Sequence, residues 1–403
     1  MYRPRRGRWA ACKLEIQRFE RSRVGCSFVN SASKRRLRTV TWGAIPVLVL
    51  AAAVSLDHVP GTDISLTVPY AAEGPGPTVD TLGEVEGVQV VDVESTEGKT
   101  EVEQPKGQLN MTTVSVRTNM SLAQVIARWA STDDTIVPVE QIIPQDMTQE
   151  EVTEANEAQF TQSESAATVA AMDYLGKPVE IVVAKVMDDA AAAGALEAGD
   201  ILTSVDGQAV SKPEEAQKLI QAKAPGDEVK LGFKRAADES AQPDDKADAA
   251  KDAKEQTATV TLGENPNDKK QALLGILMSS QPVTDVEVTY NLQDIGGPSA
   301  GMMFSLAVID KLSPGDLTGD HFVAGTGTIA EDGTVGPIGG IVHKVRAARD
   351  AGAELFLAPS SNCAEAMSRD TGDMVIASVD TIADAVAAMD AFAHGGEVKT
   401  CQP

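Results

Sequence analysis

Nowhere in these 403 residues is there a Gly-x-x-x-x-Gly-Lys-Ser/Thr loop. The nearest fragment, Glu97-Gly98-Lys99-Thr100, lacks the upstream glycine that lets such a loop wrap its backbone N–H groups round a phosphate. No nucleotide-driven motor is therefore expected within this stretch. Aromatic residues make up 4 % of the chain against 42 % hydrophobic residues, so its cores must be built from Ala, Val, Ile and Leu. Histidine is scarce too: His58, His321, His343 and His394 offer no recognisable triad, which deprives a serine nucleophile of its commonest base. Cys12 and Cys26 lack metal-ligand spacing, and neither a metal nor another cofactor is expected.

Charge is unevenly placed. Residues 1–38 carry twelve Lys/Arg and two Asp/Glu, a balance of +10, which leaves −34 for residues 39–403 out of a total of −24. Such asymmetry fits two compartments better than one. Between them, residues 39–56 hold no charge, and 18 residues span about 27 Å as a helix, just enough to cross a bilayer. The basic flank would keep the N-terminus cytoplasmic and residues 57–403 outside, with Trp42 as an interfacial aromatic and Pro46 as a tolerated kink. A signal peptide cleaved near Ala51-Ala52-Ala53 and a buried core helix are the competing readings. The basic arm reads as a topology signal and a contact for anionic lipid, so no nucleic-acid partner is expected. On this topology Cys363 and Cys401 both fall outside, where a bridge would tie down the loose tail before Cys401.

The chemistry lies further along. In Gly296-Gly297-Pro298-Ser299-Ala300-Gly301, the proline suits the first turn of a helix, which places the Ser299 hydroxyl at a helix N-terminus among free N–H groups. The backbone of Ser299 and Ala300 is the candidate oxyanion site. The apolar run 302–309 reads as a buried helix that would hold the serine still. Forty-five residues after the serine comes Lys344, beside the apolar face Ile341, Val345 and Ala348 of a second helix. A lysine drawn out of water loses preference for its charged form and can serve as a general base near neutral pH. Taken singly, a Gly-Pro-Ser-Ala-Gly run is often only a turn and a lysine on an amphipathic helix is usually solvated.

Their joint context resembles the proteolytic domain of the Lon-type Ser-Lys peptidases over residues 270–392. The resemblance runs through Gly297-Pro298-Ser299-Ala300-Gly301, Thr326-Gly327-Thr328-Ile329, Gly333-Thr334-Val335-Gly336-Pro337-Ile338-Gly339-Gly340-Ile341 with Lys344, and Ala351-Gly352-Ala353 to Pro359. It implies Ser299 as nucleophile, Lys344 as base and Thr326 as the residue that orients one of them. Two acidic residues usual in the ATP-dependent members are missing, with Gly296 and Thr328 in their places. It also implies assembly into a homo-oligomer.

Residues 171–263 resemble a bacterial PDZ domain through Leu196-Glu197-Ala198-Gly199-Asp200-Ile201, Val205-Asp206-Gly207 and a helix at Pro213-Glu214-Glu215-Ala216-Gln217-Lys218-Leu219-Ile220. That implies capture of an extended peptide on a sheet edge, with Tyr174-Leu175-Gly176 as the candidate carboxylate loop. Residues 236–256 are too polar to bury much and read as a flexible acidic insertion.

The expected architecture is thus an α+β multidomain chain. It comprises a basic cytoplasmic tail (1–38), a transmembrane helix (39–56), a membrane-proximal α/β region with an acidic, solvated connector (57–170), the PDZ domain (171–263) and a C-terminal Lon-type proteolytic domain (264–403). The expected activity is ATP-independent serine endopeptidase action on unfolded or flexible proteins or peptides outside the membrane, assisted by the PDZ domain. The alternatives are a PDZ-based membrane-surface binding protein with an inactive Lon-like scaffold, or a hydrolase of non-peptide esters.

Overall fold

The computed structural model describes residues 42–51, 54–59, 61–62, 64–96, 98–144, 147–187, 190–235, 253–266, 268–292 and 296–402. The expected basic tail with Cys12 and Cys26, and residues 236–252 of the acidic insertion, lie outside the described residues. The chain divides into two units, Met1–Leu66 and Thr67–Pro403. In the first, residues 42–51 are helical and expose Trp42, Ile45, Val47, Leu48, Val49 and Leu50. Among the described residues no helix is long and apolar enough to cross a membrane. The run 42–51 rises about 15 Å, half of a hydrocarbon core, and residues 39–41 and 52–53 of the expected span lie outside the described residues.

The second unit contains a six-stranded sheet in the order Val375–Val379, Leu355–Pro359, Phe322–Gly325, Gln108–Arg117, Tyr70–Asp80, Thr135–Pro138. The first four strands run parallel and the last two pair antiparallel. Parallel strands covered on both sides need continuous apolar sequence, and Leu355–Pro359 is buried throughout. Successive side chains point to opposite faces. Val323, Leu355, Leu357, Ala377 and Val379 pack against the helices Gln149–Tyr174, Gly301–Leu312 and Ile382–Ala393. Their neighbours Ala324, Phe356, Ala358 and Ile376 pack against Ile341, Val345 and Ala348 of the helix Ile341–Ala351.

This sheet corrects the expected boundaries. The supposed membrane-proximal region supplies three of the six strands, and Thr112 bonds to Gly325 across 213 residues of sequence. Residues 150–157 are helical with Glu150, Glu151, Glu154 and Glu157 exposed, as expected, but the helix they open, Gln149–Tyr174, is more than a connector: further along it buries Phe160, Ser163, Ala167 and Val169–Met172 in the core beneath the sheet. A capping box between Thr148 and Glu151 starts that helix.

The PDZ segment is inserted between the two parts of this sheet. Its own sheet runs Glu255–Thr261, Glu228–Lys234, Ile201–Val205, Val179–Val186, Ile276–Pro282, with the helix Pro213–Gln221 alongside. The strand Ile276–Pro282 lies beyond the expected boundary at 263 yet pairs with Val179–Val186 over its whole length. The insertion closes on itself where the Val283 N–H donates to the Pro178 carbonyl at 2.8 Å.

Candidate active site

Ser299 stands in a single 3-10 turn, Pro298–Ala300, that runs into the helix Gly301–Leu312. Every residue of that helix except Leu312 is buried, so the turn has a rigid base. Gly301 is obligatory: a Cβ there would lie 2.5 Å from Ser163 Oγ and 2.6 Å from Ile329 Cγ2. Further contacts hold the turn from both sides. The Gly297 N–H donates to the Asn156 carbonyl at 3.0 Å, Ser163 Oγ donates to the Pro298 carbonyl at 3.1 Å, and the Gly327 N–H donates to the Ser299 carbonyl at 2.9 Å.

Lys344 arrives from the opposite face of the sheet. The strand Phe322–Gly325 ends at its pairing with Met111, while Gln108–Arg117 continues. The gap left beyond Gly325 admits the lysine, and its Nζ bonds the Thr112 carbonyl, the first one past the paired stretch, at 3.1 Å. Two further bonds complete its surroundings, to Ser299 Oγ at 2.8 Å and to Thr326 Oγ1 at 2.9 Å. Only 3 % of the lysine is exposed, and burial pushes its pKa down to about 8. No carboxylate pairs with it among the described residues. The same helix is preceded by Gly340 in left-handed conformation (φ 67°), where a Cβ would come 2.8 Å from Val114 Cγ2.

The bonding pattern specifies what the amine can do. Thr326 Oγ1 donates to the Ser299 carbonyl at 2.9 Å, so it can only accept from Lys344, and the Thr112 carbonyl can only accept as well. A neutral lysine has two N–H groups for those two acceptors. Its lone pair then faces Ser299 Oγ, the one partner able to donate a proton. Lys311 is a useful contrast: it is equally buried at 3 % exposure, but its Nζ is taken by Gln89 Oε1 and the Val91 carbonyl, and no nucleophile is among its hydrogen-bond partners.

A cleft of about 470 Å³ opens beside Ser299, between Thr112–Ser115 and Gly296–Ala300. Sequence reasoning brings Ser299, Lys344 and Thr326 into one site, as the structure does, and misses the rest. Thr112, Asn156 and Ser163 lie in segments without chemical signature. So does Asn362, whose side chain both donates to the Ile338 carbonyl and accepts from the Ile338 N–H, each at 3.0 Å, bracing the loop before Lys344.

The structure also places three other segments singled out in the sequence. Tyr174, Leu175 and Gly176 do not form a carboxylate loop: the N–H groups of Leu175, Gly176 and Lys177 all donate to carbonyls of the helix they terminate, at 2.9 to 3.0 Å. The phosphate-loop-like fragment grips a protein carboxylate instead, since Lys99 N–H, Thr100 N–H and Thr100 Oγ1 all donate to Asp285. Cys363 and Cys401 are joined by a disulfide. It fastens a tail that runs along the outer strand Val375–Val379, with the Ser378 N–H donating to Lys399 and the Cys401 N–H to Ile376.

Residues 292–389 match the family described as Lon protease (S16) C-terminal proteolytic domain, and residues 158–262 match the PDZ domain family. The chain carries a PDZ domain and a Lon-type proteolytic domain. It is 37 % identical over 68 residues to Lon protease 2 of Bacillus subtilis, covering 17 % of this chain and 12 % of that protein. It is also 37 % identical over 92 residues to the archaeal Lon protease of Methanothermobacter thermautotrophicus, covering 22 % of this chain and 14 % of the relative. The chain thus spans only a small part of either relative. Among solved structures, the PDZ domains of SdrC-like proteins from Listeria monocytogenes and Listeria innocua are 27 % and 28 % identical. They cover 24 % and 25 % of this chain and 85 % and 92 % of their own, each with a TM-score of 0.19.

Proposed function

We propose that this chain is a serine endopeptidase that works by a Ser299–Lys344 dyad, without ATP. The 2.8 Å approach of a buried Lys344 Nζ to Ser299 Oγ carries the reading. Neutral Lys344 takes the Ser299 Oγ proton as the oxygen attacks the peptide carbonyl carbon, and the oxyanion is held by N–H groups at the helix start around Ser299 and Ala300. The ammonium so formed gives its proton to the leaving amine nitrogen, leaving an ester on Oγ. Water then attacks the ester carbon, Lys344 takes the water's proton, and Ser299 Oγ regains one as the acid departs. Thr326 is the orienting residue, holding the amine through one bond and the nucleophile's own carbonyl through another.

Substrates are unfolded or flexible segments, because the cleft beside Ser299 runs along Thr112–Ser115, past the end of the pairing with Phe322–Gly325, and an extended peptide can add there. The PDZ domain assists by capturing peptides in a cleft of about 180 Å³ between the helix Pro213–Gln221 and the outer strand Ile276–Pro282, with the turn at Leu273–Gly275 replacing residues 174–176 as the site for a terminal carboxylate. Membrane attachment through residues 39–56, with the catalytic unit outside the cytoplasm, rests on the uncharged run and its basic flank. Homo-oligomerisation rests on the Lon resemblance.

The test is hydrolysis of an unfolded protein by the full chain in the absence of nucleotide, beside Ser299→Ala and Lys344→Ala. Loss of cleavage in both variants is expected. A wild-type chain that neither cleaves nor reacts with a fluorophosphonate would return the Lon-type domain to the role of a scaffold.

A further inference from the structure

Each wall of the PDZ cleft makes a polar contact with the catalytic body, and each contact leads to the backbone around Ser299. The helical wall begins after Lys212, whose Nζ pairs with Asp173 at 2.9 Å. Asp173 lies on the helix Gln149–Tyr174, which through Asn156 and Ser163 holds Gly297 N–H and the Pro298 carbonyl. The strand wall, Ile276–Pro282, presents Ser280, whose hydroxyl donates to Glu331. Glu331 sits in the tight turn joining Thr328–Ile329 to Val335–Gly336, closed by the Ala330 N–H to Thr334 and the Gly333 N–H to Ala330, both at 2.9 Å. The two residues before that hairpin, Thr326 and Gly327, are the ones that hold the Ser299 carbonyl.

We propose that Ser280 and Glu331 are positioning residues for Ser299, and that a peptide seated in the PDZ cleft changes turnover at the dyad through this contact, with Lys212–Asp173 as the second, weaker link. The inference rests on the peptidase reading. The ranking of the links follows from exposure: Lys212 and Asp173 keep about a third of their side-chain surface in water, where an ion pair contributes little. Ser280 and Glu331 are each partly buried. Coupling of this kind travels through a few packed contacts, so a single substitution in the path alters it without touching either site.

The full chain is tested on fluorescein-labelled casein, with Gln217→Trp as the probe of the cleft: Gln217 is exposed on the cleft wall, and an indole there fills the space a ligand side chain would take. Ser280→Ala and Glu331→Ala are each expected to lower kcat about 3- to 10-fold with KM within about twofold and an unchanged melting temperature. Glu331→Gln, which keeps an acceptor, restores most of the rate. The double variant is no worse than either single one, because both remove the same contact. Gln217→Trp changes kcat in the wild-type background by about twofold or more and has no effect in Ser280→Ala. Wild-type kcat in both alanine variants, additive losses, or a Gln217→Trp effect that survives in Ser280→Ala would overturn the proposal. An inert wild-type chain unreactive to fluorophosphonate overturns the peptidase reading and the relay with it, whereas an active chain indifferent to these substitutions overturns the relay alone.

Discussion

Lys344 Nζ and Ser299 Oγ stand 2.8 Å apart although their helices lie on opposite faces of one sheet. They meet because the strand Phe322–Gly325 stops short and the lysine enters the gap, bonding a carbonyl that the next stretch of strand would otherwise have used.

Because burial puts the Lys344 pKa near 8, kcat/KM should rise with pH through about 8 and level off above it, as the free amine accumulates. A peptide-hydrolysis profile from pH 6 to 10 that stays flat would remove the lysine from the role of base.

The same burial costs stability while the lysine is charged. Its folded pKa lies below the unfolded value of 10.5, so the unfolded chain binds more protons between about 8 and 10.5, and stability rises with pH across that window. Lys344→Met should therefore raise the unfolding free energy at pH 7 by about 1 to 3 kcal/mol, a gain that fades as pH approaches 10.5. Denaturant titrations at pH 7 and pH 10 check both the sign and the fading.

Thr326→Val keeps the shape of the side chain and removes the acceptor that aligns the amine. The expected result is a fall in kcat of about 10- to 100-fold with little change in KM. Thr326→Ser should recover much of the loss.

Gly301→Ala thrusts a methyl group against Ser163 and Ile329 at the foot of the nucleophile turn. Labelling of Ser299 by a fluorophosphonate should slow by about tenfold or more, since displacements near 1 Å carry that penalty. Pairing it with Ser163→Ala, which clears one of the two obstructing groups, should return part of the rate.

Reduction of Cys363–Cys401, or Cys401→Ser, frees the tail from the outer strand Val375–Val379. A bridge closing 38 residues contributes about 3 to 4 kcal/mol. Thermal unfolding with and without reductant should show a lower midpoint in the reduced protein.

The candidate dyad was legible because its residues sit in short, local patterns: a proline and small residues round Ser299, and an apolar stripe beside Lys344. Thr112 was not, since its contribution is a backbone carbonyl and its partners are 213 and 232 residues away. For the same reason residues 111–116 read as a strand but could not be assigned to the sheet of Phe322–Gly325, and Tyr70–Asp80, interrupted by Gly74, Pro75, Gly76 and Pro77, did not read as a strand. Tyr174, Leu175 and Gly176 misled because a Leu-Gly pair that ends a helix and one that receives a carboxylate look alike in one dimension. What separates them is whether the N–H groups are already engaged, and here they are.

A sheet assembled from strands on both sides of an insertion also sets an order of events during synthesis. Gln108–Arg117 leaves the ribosome long before Phe322–Gly325, and until the second arrives the first has an unpaired edge to guard. The inserted PDZ segment has a core of its own, formed from residues 181–274. If it condenses first, the Val283–Pro178 contact draws its two ends together and replaces a loop of more than a hundred residues by a short clasp, lowering the entropy that the late strands must overcome.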